Sequence, residues 1–417
     1  MSVANGLTYL STLLLSRLLG PVDYGAAAAV LGIVLIGSVP GIALQQVAAR
    51  RTALAPTPLS MRLEGQTLDD AFALTVATLA VGLLLAPPLT GFLHLSSIRI
   101  MLWVAVSITP VPALSAAQGL LQGARRFGQL SVLFVTTAAL RLVGAVVAAA
   151  AGFGVEGVVA GTALAGVLAT WLAVRLTGHG LRSRHGGGRR LVTELTALRE
   201  VLAVVPVVGG LLLLANSDVL LARHYLDARA AGTYAAGSIV TKGAFWAPQF
   251  ISVLSFSRLA DPTRSRGTLQ RAVAMVAALE VGGVILAAAL GRPVVQVVLG
   301  DHYGDLAPRL WLFALLGGML ALAQLLITAG VAARRRGLGT RVWLCIGAQV
   351  ALVAGFRHGS VNQIASATLL CTGVLVLGSL RPLGRSAANP ASGSPGGAER
   401  TQSPGRSAPT GPLGDAQ

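Results

Sequence analysis

The sequence predicts an all-α integral membrane protein, with about twelve transmembrane helices in two six-helix lobes arranged as parallel repeats around a central cavity. Three observations lead to this prediction. Of the 417 residues, 54% are hydrophobic and 11% are charged, and the mean hydropathy is +0.73. The apolar residues form runs of about 17 to 25 residues, long enough for a helix to cross roughly 30 Å of hydrocarbon. The start and the middle of the chain carry similar motifs.

The apolar runs define the predicted spans in order. The first begins almost at Met1 without a basic leader or a cleavage site, which predicts a retained helix rather than a signal peptide; its short lead predicts that translation starts slightly upstream. The twelve spans lie at 3–19, 25–49, 70–93, 100–121, 129–151, 155–175, 201–222, 231–256, 271–291, 307–332, 341–356 and 360–381.

The positive charges predict the topology. The net charge of +17 would suggest nucleic acid as a partner if the arginines formed one patch, but they are spread over the connections between spans. Twenty-one arginines fall in the connections on one side and seven on the other. By the positive-inside rule, we expect both termini of this multi-pass protein to be cytoplasmic. No nucleic-acid partner is predicted.

Composition also marks the domain boundaries. We predict an N-terminal lobe at 1–176, a basic cytoplasmic linker at 177–200, a C-terminal lobe at 201–383 and a disordered cytoplasmic tail at 384–417. The linker is rich in Gly and Arg, and the tail is rich in Pro, Gly and Ser. The two cysteines lie within spans and the six histidines are scattered, so no metal site or cofactor is predicted.

The two halves share motifs at a common offset of about half the chain. "LLLSRLLGPVDYG" (13–25) corresponds to "VLLARHYLDARAAG" (219–232), and "GLLQGARR" (119–126) corresponds to "ITAGVAARRR" (327–336). Each half has an even number of spans, so both enter the membrane in the same orientation. Parallel repeats of this kind occur in secondary transporters.

Several of these motifs resemble a known family. "LLSRLLGPVDYG", "LLQGARRFGQLS", "GFGVEGVVAGTALA", "DVLLARHYLDARAAGTYAAGS" and "LGDHYGDLAPRLWLFAL" are similar to oligosaccharide and polysaccharide flippases of the multidrug, oligosaccharidyl-lipid and polysaccharide exporter superfamily. The resemblance extends from residue 1 to about residue 380. It implies a two-lobed carrier that moves lipid-linked saccharides across the cytoplasmic membrane.

Ionisable residues inside apolar spans are functional candidates, because a charge costs roughly 2.5 to 3.5 kcal/mol at a helix centre. Arg141 and Lys242 are candidate substrate-binding cations, and Asp218 and Glu280 are candidates for coupling or ion pairing. Lys242 is the only lysine, and it shares a helix face with Trp246 and Gln249. The alternative for Lys242 is an ion pair with Asp218 that joins two spans.

Span 1 carries a polar stripe that includes Asn5 and Thr12. Such a stripe lines a cavity or serves as helix-packing contact, and we favour the cavity. Arg17 lies at its end, just before Gly20 and Pro21, where two interpretations remain open. It either forms a structural corner with Asp23 as countercharge, or contacts the phosphates of a substrate, to which guanidinium groups are suited.

The predicted function is flipping of a polyprenyl-pyrophosphate-linked oligosaccharide for surface polysaccharide synthesis. The predicted partners are this lipid-linked oligosaccharide, the bilayer and polysaccharide assembly enzymes. One alternative is a cation-coupled multidrug exporter, although spans 1 to 6 lack an acidic residue away from their ends. Another is a transport-inactive scaffold of an assembly complex. Catalysis is not predicted, because the connections opposite the termini are short and carry no paired carboxylates or Ser-His arrangement.

Overall fold

A computed structural model describes residues 2–54, 60–177, 190–246, 265–332 and 337–385, and within these ranges the regular elements are helices, with no strand. This confirms the predicted all-α class. The principal helices are α1 (Ser2–Gly37), α2 (Val39–Leu54), α3 (Ser60–Phe92), α4 (Ile98–Ile108), α5 (Val111–Gly123), α6 (Phe127–Ala150), α7 (Gly154–Thr177), α8 (Arg190–Leu214), α9 (Ser217–Tyr225), α10 (Ala228–Trp246), α11 (Ser265–Ala289), α12 (Leu310–Ala332), α13 (Leu338–Phe356) and α14 (Val361–Arg385). Three short helical segments precede α12: Gly291–Val294, Val295–Leu299 and Asp301–Arg309.

The predicted spans correspond to helices, but several are broken. In the described ranges, nine helices are long and apolar enough to cross a membrane, or ten if the pair α8 and α9, bent by 50°, forms one span. The protein is therefore a multi-pass membrane protein. The first of these helices, Val3–Leu54, combines predicted spans 1 and 2, and the predicted eighth span is described only through α10, which ends at Trp246.

The break between the first two predicted spans lies at Gly20. This residue has φ +67 and ψ 175, and Pro21 follows it. Glycine adopts positive φ without a steric penalty, and proline lacks the amide N–H that would continue the helical hydrogen bonds. The sequence prediction of a Gly-Pro helix end agrees with this kink.

The predicted lobe boundaries stay a prediction. Residues 178–189 of the predicted linker and 386–417 of the predicted tail lie outside the described ranges, and α8 already begins at Arg190. Buried apolar side chains from both halves form one large cluster, which contains Leu15, Tyr24, Tyr234 and Phe313. The two halves are thus packed together.

Successive connections define two opposite faces of the helix bundle. We call one the Gly20 face; it contains Gly20 and the connections at 93–97, 151–153, 226–227 and 357–360. The other is the Arg125 face, which contains the connection at 124–126 and Gly337, just before α13.

Gly25 and Gly232, which the predicted repeat places at corresponding positions, lie in contact. A Cβ on Gly25 would lie 2.8 Å from the Gly232 nitrogen. A Cβ on Gly232 would overlap the Pro21 carbonyl oxygen. Small residues that let backbones approach are typical of helix packing in membranes. The halves therefore meet where their corresponding motifs meet.

Gly232→Ala should destabilise the protein, because the added methyl group has no room unless α1 and α10 separate. Overpacking of this kind costs about 1–3 kcal/mol. We expect less monodisperse protein after detergent extraction and a lower apparent Tm. Gly283→Ala in α11 is the matched control, since a Cβ there meets nothing within 4 Å. Equal behaviour of the two variants would contradict the contact.

Candidate functional site

The polar stripe of span 1 lies on α1 before the kink. The Thr8 and Thr12 hydroxyls donate hydrogen bonds to the Ala4 and Thr8 carbonyl oxygens of the same helix, at 3.0 and 3.1 Å. Threonine hydroxyls commonly bond to the preceding turn in this way. Asn5 is exposed and Thr12 is half-buried. An exposed amide is costly in hydrocarbon, so this face of α1 is suited to a wet cavity.

Tyr9, which lies beside the polar stripe on α1, contacts the second half of the chain. Its hydroxyl donates to the Ile239 carbonyl oxygen of α10 at 3.3 Å, and a Cβ on Gly243 would lie 2.9 Å from the same hydroxyl oxygen. Lys242 directly precedes Gly243. The structure therefore places the α1 stripe and the Lys242 segment at one junction between the halves.

Lys242 and Trp246 lie one helical turn apart on α10, as predicted, and Gln249 lies outside the described residues. Lys242 is half-buried and Trp246 is exposed, with its ring edge-on to Phe245 at 4.9 Å. Asp218 is close enough to Lys242 for an electrostatic interaction. The two do not form an ion pair, since those within the described ranges are Arg51–Glu200 and Arg99–Glu156.

Asp218 instead bonds to a tyrosine. The buried Tyr234 hydroxyl donates to Asp218 Oδ2 at 3.0 Å, and the Tyr234 ring packs edge-on against Phe313 at 5.2 Å. The second carboxyl oxygen, Oδ1, is buried and has no hydrogen-bond partner in the described structure. One oxygen of this carboxyl group is thus free to accept another ligand or proton.

A polar network beside Asp218 was missed by the sequence reasoning. Ser217 donates to Gln349 Oε1 at 3.1 Å, and Gln349 Nε2 donates to the Thr368 hydroxyl at 3.0 Å. Gln349 and Thr368 are fully buried. Their signal in the sequence was a polar side chain within each of the last two apolar runs. The network joins α9, α13 and α14.

Glu280 lies in α11 against a pair of glycines in α12. It is buried, its Oε1 has no hydrogen-bond partner among the described residues, and a Cβ on Gly318 would lie 2.9 Å from its Oε2. A Cβ on the neighbouring Gly317 would overlap the Thr241 carbonyl oxygen of α10. Gly317 and Gly318 therefore allow α10, α11 and α12 to meet near Lys242 and Glu280.

Arg141 lies within α6 on the face that also carries the buried Thr137 and Ala145. Its Nε is buried and has no hydrogen-bond partner in the described ranges. No hydrogen bond or ion pair there links it to Lys242 or to the α1 stripe. A guanidinium group held in a helix without a partner is suited to bind an anion that enters from outside the lobe.

Arg17 does not form an ion pair with Asp23, so the predicted role of Asp23 as its countercharge stays a prediction. The Arg17 side chain is exposed, and its Nε donates to the Val298 carbonyl oxygen of the second half at 3.0 Å. Asp23 instead interacts electrostatically with Arg223. The side chains at the kink therefore reach across to the opposite half, which spacing along one helix could not reveal.

On the Arg125 face the halves are joined by an ion pair. Arg51, near the end of α2, lies 3.4 Å from Glu200 in α8. Farther along α8, the Trp343 Nε1 atom donates to the Pro206 carbonyl oxygen at 3.1 Å, a contact within the second half. Contacts between the halves thus exist on both faces of the bundle.

Comparison with known proteins decides the family. The sequence profile described as "Polysaccharide biosynthesis protein" matches residues 14–308. The chain belongs to this family. The match covers most of the chain and confirms the family resemblance drawn from the motifs. No functionally curated protein matches this chain in sequence.

The fold of this chain is similar to that of solved transporter structures, among them members of the MOP superfamily. The inward closed conformation of lipid II flippase MurJ aligns with a TM-score of 0.71 at 12% identity, over 92% of this chain and 87% of that one. An inward-facing MATE family multidrug resistance transporter of the MOP superfamily gives 0.70 at 13% identity, over 93% and 95%. An outward-facing MATE family structure gives 0.64 at 12% identity, over 91% and 92%.

Proposed function

We propose that this protein flips a polyprenyl-pyrophosphate-linked oligosaccharide across the cytoplasmic membrane for surface polysaccharide synthesis. The observation that carries the proposal is Arg141, whose buried Nε lacks a partner within an apolar helix. Membership of the polysaccharide biosynthesis family and the likeness to a lipid II flippase support the class of substrate.

The pyrophosphate explains why buried cations are needed. Its negative charges must cross the hydrocarbon region, where water does not stabilise them. Arg141 in the first half and Lys242 in the second would bind the phosphates during passage. Asn5 and Thr12 on α1, and Trp246 on α10, offer hydrogen-bonding and stacking surfaces for the saccharide. We propose that Gln249 also contacts the substrate, because it follows Lys242 by two helical turns in the predicted span.

The orientation follows from the arginine distribution. The Arg125 face carries the larger share of arginines and is the cytoplasmic face in this proposal, together with both termini. The Gly20 face is then the outer face, and the predicted lobes 1–176 and 201–383 move relative to each other. Polysaccharide assembly enzymes are the protein partners that would supply the substrate and use the product.

The alternative of a cation-coupled multidrug exporter is favoured by one observation. The carboxyl groups of Asp218 and Glu280 each have a buried oxygen without a hydrogen-bond partner in the described ranges. Such oxygens could accept a coupling cation or a cationic drug. In the flippase proposal the same carboxyl groups couple transport to an ion. A scaffold without transport would leave these buried groups without a role.

Proteoliposomes test the proposal directly. The purified protein, reconstituted with a fluorescent polyprenyl-pyrophosphate oligosaccharide, should make the label on the inner leaflet accessible to a membrane-impermeant quencher. Protein-free liposomes and a lipid-linked saccharide without phosphate are the controls, and both should remain protected. Flipping of neither saccharide, together with export of a lipophilic cation dye, would refute the flippase and support the exporter.

A further inference from the structure

Arg17 and Arg223 occupy corresponding positions of the repeat, and each bonds to the opposite half. Arg17 Nε donates to the Val298 carbonyl oxygen at 3.0 Å. Arg223 Nε donates to the Leu93 carbonyl oxygen at 3.1 Å, and its Nη2 donates to the His94 carbonyl oxygen at 3.3 Å. The acceptors Leu93 and Val298 are separated along the chain by nearly the same offset as the two arginines. The two contacts are therefore related by the internal repeat.

Both acceptors lie at the end of a helix. Leu93 and His94 follow α3, and Val298 belongs to the helical segment that ends at Leu299. A residue with positive φ ends each one, His94 at +49 and Gly300 at +95, and these two positions also correspond in the repeat. The last carbonyl oxygens of a helix lack intrahelical partners and carry partial negative charge. A guanidinium group from the other half supplies both a hydrogen-bond donor and a positive charge to these carbonyl oxygens.

We propose that Arg17 and Arg223 are reciprocal caps that hold the Gly20 face closed, and that both release when this face opens. Each cap joins one half to the other, so the halves cannot separate at this face without breaking both. The residues that precede the two arginines, Ser16 and Ala222, are fully buried. Tyr303 of the second half covers Ser16, since its hydroxyl donates to the Ser16 carbonyl oxygen at 3.0 Å. The caps act in the protein without bound substrate, so this role does not depend on which substrate the protein carries.

Cysteine labelling measures the opening of this face. Ser16→Cys and Ala222→Cys, introduced separately, place a thiol at the buried position that precedes each arginine, and the parent with its buried Cys345 and Cys371 gives the background. A membrane-impermeant maleimide is added to right-side-out and to inverted vesicles without substrate. Arg17→Gln and Arg223→Gln should each raise the labelling rate roughly tenfold, and the double variant roughly a hundredfold, since charged hydrogen bonds have such effects on an equilibrium.

The acceleration should occur in one vesicle orientation only, because one face opens. Arg99→Gln is the matched control: Arg99 lies on the same face but pairs with Glu156 of its own half at 3.3 Å. It should leave the rate unchanged. Arg17→Lys with Arg223→Lys keeps the charges at the helix ends but loses the guanidinium geometry, and should give an intermediate rate even if the Gln pair fails to reach the membrane. Parental rates in the Lys and single Gln variants, or equal acceleration by Arg99→Gln, would overturn the proposal.

Discussion

Arg141→Gln should slow flipping of the lipid-linked oligosaccharide roughly tenfold to a hundredfold, because a hydrogen bond to a charged group contributes about 1.5–3 kcal/mol. Membrane abundance should remain near that of the parent. The Arg141 Nε makes no hydrogen bond in the described structure, so its removal leaves no buried protein group without a partner. The measurement is initial flipping rate in proteoliposomes, normalised to reconstituted protein.

Two variants separate the charge from the packing. Arg141→Lys keeps a cation and should retain part of the activity, while its single ammonium group cannot bind phosphate in a bidentate manner. Arg175→Gln is the matched control, because Arg175 lies at the end of α7 with its guanidinium carbon 5.1 Å from the centre of the Trp171 ring. It should flip at the parental rate. Loss of Arg141→Gln from the membrane would indicate a structural role instead.

The sequence was sufficient for the class of fold and for the approximate positions of most membrane-spanning helices, but not for breaks within them, such as the one between α4 and α5 in predicted span 100–121. Apolar runs of this length form helices in a bilayer, because a helix satisfies all the backbone hydrogen bonds within the segment itself. The Gly20–Pro21 break was also predictable, since these residue types alter the backbone locally. The break between α8 and α9 lies within the predicted span 201–222 and was not predicted, although the polar residues Asn216, Ser217 and Asp218 interrupt the apolar run there.

Contacts between the two halves could not be predicted from the sequence. Arg17 and Arg223 stood out as a repeated pair, but their acceptors are backbone carbonyl oxygens in distant parts of the chain. Any residue type provides a carbonyl oxygen, so the sequence does not indicate which residue is the acceptor. The Gln349 network likewise depends on the register between α13 and α14, which apolar patterning leaves open.

Lys242→Gln should abolish most flipping while leaving abundance near the parental level. Abundance should not fall, because the buried Asp218 carboxyl group does not rely on Lys242 as its partner. Asp218 does not form an ion pair with Lys242, and its Oδ2 already accepts a hydrogen bond from Tyr234 at 3.0 Å. Removing the ammonium group therefore leaves that bond intact. Flipping rate and membrane abundance are measured together, as for Arg141.

The double variant Lys242→Gln with Asp218→Asn distinguishes the two roles left open for Lys242. If the residues served mainly as a structural pair, removing both charges would restore abundance and transport, because neither charge would remain uncompensated. If Lys242 binds the pyrophosphate, the double variant should be abundant and inactive, which is the result we expect. Tyr234→Phe is the shape-matched control: it removes the bond to Asp218 and should lower abundance while Lys242 is still present. Restored flipping in the double variant would exclude substrate binding by Lys242, since no cation would then remain at this position to meet the phosphates.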